Sequence, residues 1–134
     1  MAALELAGRT VLELGCGLGL PALAAAARGA EVLATDWAEE AIELLQRNAE
    51  RNGVFLRAAR VRWSEPGPLL RAAPWDLVIG ADLLYEARNA EQLATLLPEL
   101  GGEVLLAEPG RPHAKDFLEQ FAAEPVAERI YSLR

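Results

Sequence analysis

One lysine, one histidine, one cysteine and four aspartates are all that this 134-residue sequence holds of four chemically busy side chains. A single cysteine excludes a disulfide scaffold, and with it the small secreted folds that depend on one. No cluster of histidine, cysteine and carboxylate has metal-ligand spacing, so no metal is expected. No apolar run approaches the ~18–20 residues of a membrane span, and no basic stretch leads into an apolar one at the N-terminus. Neither membrane association nor a signal peptide is expected. Positive charge is scarce too: 13 Lys and Arg face 20 Asp and Glu, for a net charge of −7. Without a basic stripe, nucleic acid is not an expected partner.

What is present points to one soluble, cytoplasmic domain over residues 1–134. The chain is 52% hydrophobic, too much for disorder. At this size folding buries roughly two-thirds of the unfolded surface, enough for one core. Sixteen of the acids are Glu. Where an Asp stands instead, its shorter reach raises a question of geometry.

Along the chain, short β-like runs alternate with helical ones. Strands are expected at 10–15, 31–37, 56–63, 76–81, 103–108 and 127–133. Helices are expected at 21–28, 38–52, 89–100 and 114–123, with only a short one at 69–72 among the prolines Pro66, Pro68 and Pro74. In the second helix, Ala41, Leu44 or Leu45, Asn48 and Ala49 share one side. Such alternation implies right-handed βαβ units and a mostly parallel sheet covered on both faces. The expected fold is a three-layer, doubly wound α/β domain.

Ligands of such sheets bind beyond the carboxyl ends of the strands, where strand order reverses. The first strand runs into Glu13-Leu14-Gly15-Cys16-Gly17-Leu18-Gly19-Leu20-Pro21. Three glycines at alternate positions allow a sharp turn and leave bare N–H groups for a ligand. The helix that begins beside Pro21 points its positive end at the same place. Asp36 follows 21 residues after Gly15, about the spacing at which a carboxylate accepts from ribose hydroxyls. A nicotinamide fingerprint would need glycine at position 20, which is Leu20. Glu13, in an otherwise apolar strand, would be costly without a partner. A ligand amino group would suit it better than a pyrophosphate. Together these features favour an adenosyl amino acid over a dinucleotide. Asp36 could instead cap the next helix, since Asp36 and Glu39 fit D-x-x-E.

VLELGCGLGLPALAAAARGAEVLATDWAEEAIELLQRNAERNG resembles the first half of a class I, Rossmann-like S-adenosylmethionine-dependent methyltransferase. The resemblance implies that Gly15, Gly17 and Gly19 line the methionine moiety and that Glu13 supports its amino group. It implies further that Asp36 holds the ribose, with Trp37 beside the adenine or ribose. Trp63, in Val61-Arg62-Trp63-Ser64, resembles a family tryptophan on the adenine side, although Arg62 stands where an acid is more common. Ala81, at the end of the fourth strand, is placed at the cofactor as well. Cys16 reads as a small buried residue, and His113 as a loop residue.

Ala81-Asp82-Leu83-Leu84-Tyr85-Glu86 narrows the resemblance. D-x-x-Y after VIGA is similar to the seven-β-strand protein lysine methyltransferases. Glu108-Pro109-Gly110-Arg111-Pro112 is similar to the branch of the electron-transfer flavoprotein β-subunit lysine methyltransferases, where Asp usually precedes the Pro. The implied activity is in-line transfer of a methyl group from S-adenosylmethionine to lysine of a protein substrate, leaving S-adenosylhomocysteine. Asp82 would orient the attacking amine and Tyr85 would wall the acceptor channel. Structural alternatives are a helix cap for Asp82 and plain packing for Tyr85. A small-molecule methyltransferase would share every cofactor residue, and a non-catalytic cofactor-binding or scaffold module is a third reading. Ribosomal-protein methyltransferases share the first half but are expected to carry Asn and Pro chemistry where Asp82-Leu83-Leu84-Tyr85 stands. Few residues lie outside the core pattern, so a sheet of about six strands, shortened at both ends, and an open cofactor cleft are expected. The oligomeric state is left open.

Overall fold

Strands and helices alternate strictly through most of residues 5–133, the part of the chain that the computed structural model describes. In chain order they are β1 (Thr10–Leu14), α1 (Leu20–Ala27), β2 (Glu31–Asp36), α2 (Glu39–Arg51), β3 (Arg57–Arg60) and α3 (Gly67–Arg71). There follow β4 (Leu77–Ala81), α4 (Ala87–Leu100), β5 (Glu103–Ala107), α5 (Ala114–Gln120), β6 (Glu124–Ala127) and β7 (Ile130–Leu133). The sheet order is β3-β2-β1-β4-β5-β7-β6. The first five strands of that order are parallel to one another, and β7 joins β5 and β6 antiparallel. Strand order therefore reverses between β1 and β4, where crossovers leave for opposite sides.

The two faces of the sheet bury different sets of residues. On one side Leu12, Leu14, Val78 and Leu106 pack with Leu93, Leu96, Leu97 and Leu100 of α4 and Phe117 of α5. On the other, Val11, Val32, Leu77 and Ile79 pack with Ala22 and Ala25 of α1 and Ile42 and Leu45 of α2. The alternation of Val11 and Leu12 between faces is the two-residue period of a strand. α1 has alanine at five of its eight positions, and its buried face consists of Ala22 and Ala25. Small side chains let α1 lie close against β1 and β2. In α2 the buried stripe is Ile42, Leu45 and Ala49, so the side expected through Ala41 and Asn48 is rotated by about one residue. Asp76, at the end of β4 remote from the cleft, exchanges hydrogen bonds with Thr10: Thr10 N–H donates to Oδ2 (2.9 Å) and Asp76 N–H to the Thr10 hydroxyl (3.0 Å).

The expected six strands are seven. Residues 124–133 do not run straight but fold back as the β6–β7 hairpin, with Arg129 in the left-handed region at φ 58. The turn lies at Glu128-Arg129, with no Gly, Asn or Asp to mark it, so the usual hairpin signal is missing. Among the described residues no helix is long and apolar enough to cross a membrane. Leu12 is fully buried in the larger cluster. Leu12→Ala is expected to cost about 2–5 kcal/mol, read as a lower urea midpoint with an unchanged slope.

Candidate active-site cleft

The carboxyl ends of β1, β2 and β4 open onto a cleft of about 550 Å³ at the point of strand reversal. That is within the usual range for a small-molecule site. Gly15, Asp36, Trp37, Trp63, Ala81, Asp82 and Tyr85 all line it. Seven of the ten residues singled out in the sequence thus meet at one cavity. Glu13, Gly17 and Gly19 do not line it; they belong to the loop and its foundations. Arg62, Ser64, Glu86, Arg88, Asn89 and Gln92 complete the polar wall. Those from α4 had no sequence signal beyond following the D-x-x-Y segment.

The glycine loop is built by hydrogen bonds to β2. Cys16 N–H donates to the Thr35 carbonyl (2.8 Å), and the Thr35 hydroxyl donates to the Glu13 carbonyl (2.9 Å). Asp36 Oδ2 accepts from Gly17 N–H and Oδ1 from Ala38 N–H, each at 3.0 Å. Asp36 therefore ties the loop to the strand end and does not cap α2, whose N-cap is Ala38. A carboxylate has about four acceptor sites, so two remain for a ligand. Gly15 and Gly19 have φ of 59 and 78, and a Cβ at either would collide with Leu83 or Leu45 respectively. A Cβ at Gly17 would meet nothing within 4 Å. The loop is packed tightly from beneath and bare above.

Glu13 is 2% exposed, and its Oε1 accepts from Ala22 N–H (3.2 Å) in the first turn of α1. Burial raises its pKa to about 8, against the lowering effect of that hydrogen bond, and the charge of Asp36 raises it further. The Cys16 thiol is pushed up to about 12, chiefly by burial, and is an inert packing residue.

Across the cleft, Asp82 has φ 52 and donates its N–H to the Ala107 carbonyl (2.8 Å). It caps no helix, because α4 begins five residues later, after Glu86. Its carboxylate is gripped at both oxygens by Arg111, with Nε–Oδ1 2.9 Å and Nη2–Oδ2 2.7 Å. The guanidinium hydrogen bonds hold Asp82 below the usual carboxylate range. Arg111 is itself placed by Glu108, which is 3% exposed and accepts from the N–H groups of Gly110 (3.2 Å) and Arg111 (2.9 Å) through Oε1. Tyr85 is half exposed at the cleft, which makes it a wall residue and not a core aromatic. Among the described residues no group of histidine, cysteine and carboxylate could hold a metal. The sequence pattern drew attention to Glu108 through Pro112 but assigned no contact to Arg111, since nothing in a linear pattern pairs residues 82 and 111.

Comparison with known proteins agrees with this geometry. The sequence pattern described as lysine methyltransferase matches residues 1–122. The chain is 35% identical over 131 residues to a ribosomal protein L11 methyltransferase of Edwardsiella ictaluri, covering 94% of this chain and 44% of that protein. It spans less than half the length of the curated relatives it matches. Among solved structures, a ribosomal protein L11 methylase from Lactobacillus delbrueckii subsp. bulgaricus superposes with a TM-score of 0.67 at 26% identity, covering 94% of this chain and 68% of that one. Precorrin 8w decarboxylase from Methanobacterium thermoautotrophicum superposes with a TM-score of 0.69 at 21% identity, covering 90% and 66%. This last likeness concerns the fold alone. The architecture is that of Rossmann-like methyltransferases.

The raised pKa of Glu13 has a measurable sign. The unfolded side chain ionises near 4.5 and the folded one near 8, so folding takes up a proton between those values. Stability is fully present below about 4.5 and is lost as pH rises towards about 8. Glu13→Gln, which mimics the neutral acid, is expected to gain Tm relative to the wild type as pH rises through this window and to gain no more above it. Thermal melts from pH 5 to 9 check this; a gap independent of pH would contradict a neutral buried Glu13.

Proposed function

The chain belongs to the lysine methyltransferase family, and on that premise we propose that it is an S-adenosylmethionine-dependent N-methyltransferase acting on lysine side chains of a protein. The supporting observation is a single cleft that joins Asp36, Trp37 and Trp63 to Asp82 and Tyr85. Residues 1–134 would act as one cofactor-binding domain, in the cytoplasm. The relatives named for ribosomal protein L11 make a ribosomal protein the first acceptor to try, even though Asp82-Leu83-Leu84-Tyr85 stands where Asn and Pro are expected in ribosomal-protein methyltransferases.

The residues present suit the cofactor. Two free acceptor sites on Asp36 match a pair of ribose hydroxyls. Trp37 and Trp63 offer apolar faces for an adenine, and Ala81 lines the same cleft. Gly15, Gly17 and Gly19 leave the loop bare on its upper side for the methionine moiety. Glu13 supports that end from below, by fixing the first turn of α1. When bound, S-adenosylmethionine would supply an electrophilic methyl group for the lysine nitrogen and would leave as S-adenosylhomocysteine, the nitrogen's proton passing to solvent. Asp82 accepts a hydrogen bond from the amine and aims its lone pair. Tyr85 bounds the channel by which the lysine enters. One observation favours a second reading, a cofactor-binding module without catalysis: Asp82 is already engaged by Arg111.

Calorimetry with S-adenosylmethionine and S-adenosylhomocysteine is the direct test. Both are expected to bind and to raise Tm, and failure of both to bind would sink the methyltransferase reading. Asp36→Ala should weaken binding by about tenfold or more, as loss of hydrogen bonds to a charged group implies. Labelled methyl transfer is then measured onto purified ribosomal protein L11 and onto total lysate protein. Asp82→Asn is expected to retain cofactor binding and to lower transfer by about 10²-fold. Unchanged transfer would remove Asp82 from the mechanism. Binding without transfer to any acceptor, protein or small molecule, would favour the non-catalytic module.

A further inference from the structure

Asp82 as an acceptor-site acid, on which this inference rests, poses an electrostatic difficulty. A lysine arrives as an ammonium but reacts only as an amine. A bare carboxylate beside it would stabilise the unreactive, protonated form. The Arg111 fork changes that. Two bonds from the guanidinium occupy one acceptor site on each oxygen and cancel the net charge, while the remaining sites stay open for an amine N–H.

We propose that Arg111 is the positioning and specificity residue of the acceptor site, turning Asp82 from a trap for ammonium into a neutral acceptor for the free amine. The pair is half exposed, with side-chain accessibilities of 48% and 41%, so an entering acceptor can reach it. The construction behind Arg111 is costly. Glu108 is buried with Oε1 on the turn, while Oε2 has no partner among the described residues. An orphaned buried oxygen is a penalty, borne by a residue whose visible work is to hold the backbone of Gly110 and Arg111. The other charges around Asp82 do not replace Arg111. Glu86 and Arg88, one acid and one base at the start of α4, line the same cleft, as do Asp36 at the end of β2 and Arg62 just after β3. Glu13, beneath the glycine loop, has its pKa pushed up to about 8, chiefly by burial.

The test uses the protein without cofactor and n-butylamine as a lysine side-chain analogue, with the Asp82 carboxyl followed by carbon NMR at pH 7. Arg111→Gln is expected to bind the butylammonium ion about fivefold more tightly than the wild type, the scale of one exposed ion pair. Arg111→Lys should stay near the wild type because it keeps the charge. Equal affinity in Arg111→Gln and wild type would overturn the proposal. In turnover with ribosomal protein L11, Arg111→Gln should lower KM, lower kcat at pH 7 and move the acid limb of kcat to higher pH. A purely structural role for Arg111 would raise KM and leave the limb in place, and that result also overturns the proposal. If L11 takes no methyl group while the fivefold difference persists, the choice of acceptor fails and the role of Arg111 stands. If transfer depends on Asp82 but neither affinity nor pH profile responds to Arg111→Gln, the role of Arg111 fails and the methyltransferase reading stands.

Discussion

The carboxylate of Asp36 is the fastening on which the cleft depends. One oxygen holds Gly17 of the loop after β1, the other holds Ala38 at the start of α2. Two neighbouring crossovers are thereby locked to a common strand end. Thr35 adds a second tie just below, through its carbonyl and its hydroxyl. Parallel pairing of β1 with β2 and β4 then carries the loop, Asp36 and Asp82 to the same rim. A glutamate at position 36 could supply the charge but would extend about one bond too far to sit on both N–H groups. The preference for Glu elsewhere in the chain makes this Asp a matter of fit.

Much of this was legible in the sequence because its physics is local. The glycines at 15, 17 and 19 and the apolar runs at 11–14 and 77–81 report backbone freedom and burial directly, and the loop and central strands follow from them. The spacing to Asp36 works for the same reason: one helix and one strand have nearly fixed lengths. Seven of the residues singled out in advance line the cleft. The β6–β7 hairpin was illegible, because its turn is made by Glu128 and Arg129, residues with no turn signature. Arg111 was hidden for another reason. Its partner lies 29 positions earlier, and only the register of β4 with β5 brings them together.

Two acids in and under the cleft are managed in opposite ways. Glu13 is buried, which pushes its pKa up towards the neutral form, and it supports α1 through Ala22 N–H. Asp82 is left ionised but neutralised by a fixed fork. A net charge of −7 therefore says little about the potential inside the cleft. The field there depends on the pairing and burial of individual side chains rather than on the sum of charges.

The edges of the sheet carry a consequence for behaviour at high concentration. β3 and β6 are the two terminal strands, and each is only four residues long. β3 has arginine at both ends, and β6 begins Glu-Pro, with all four of its residues exposed. Short length, like charges and a missing N–H donor are the features that discourage strand-to-strand polymerisation. Both margins of the described sheet therefore carry features that disfavour pairing with the edge of a neighbouring sheet.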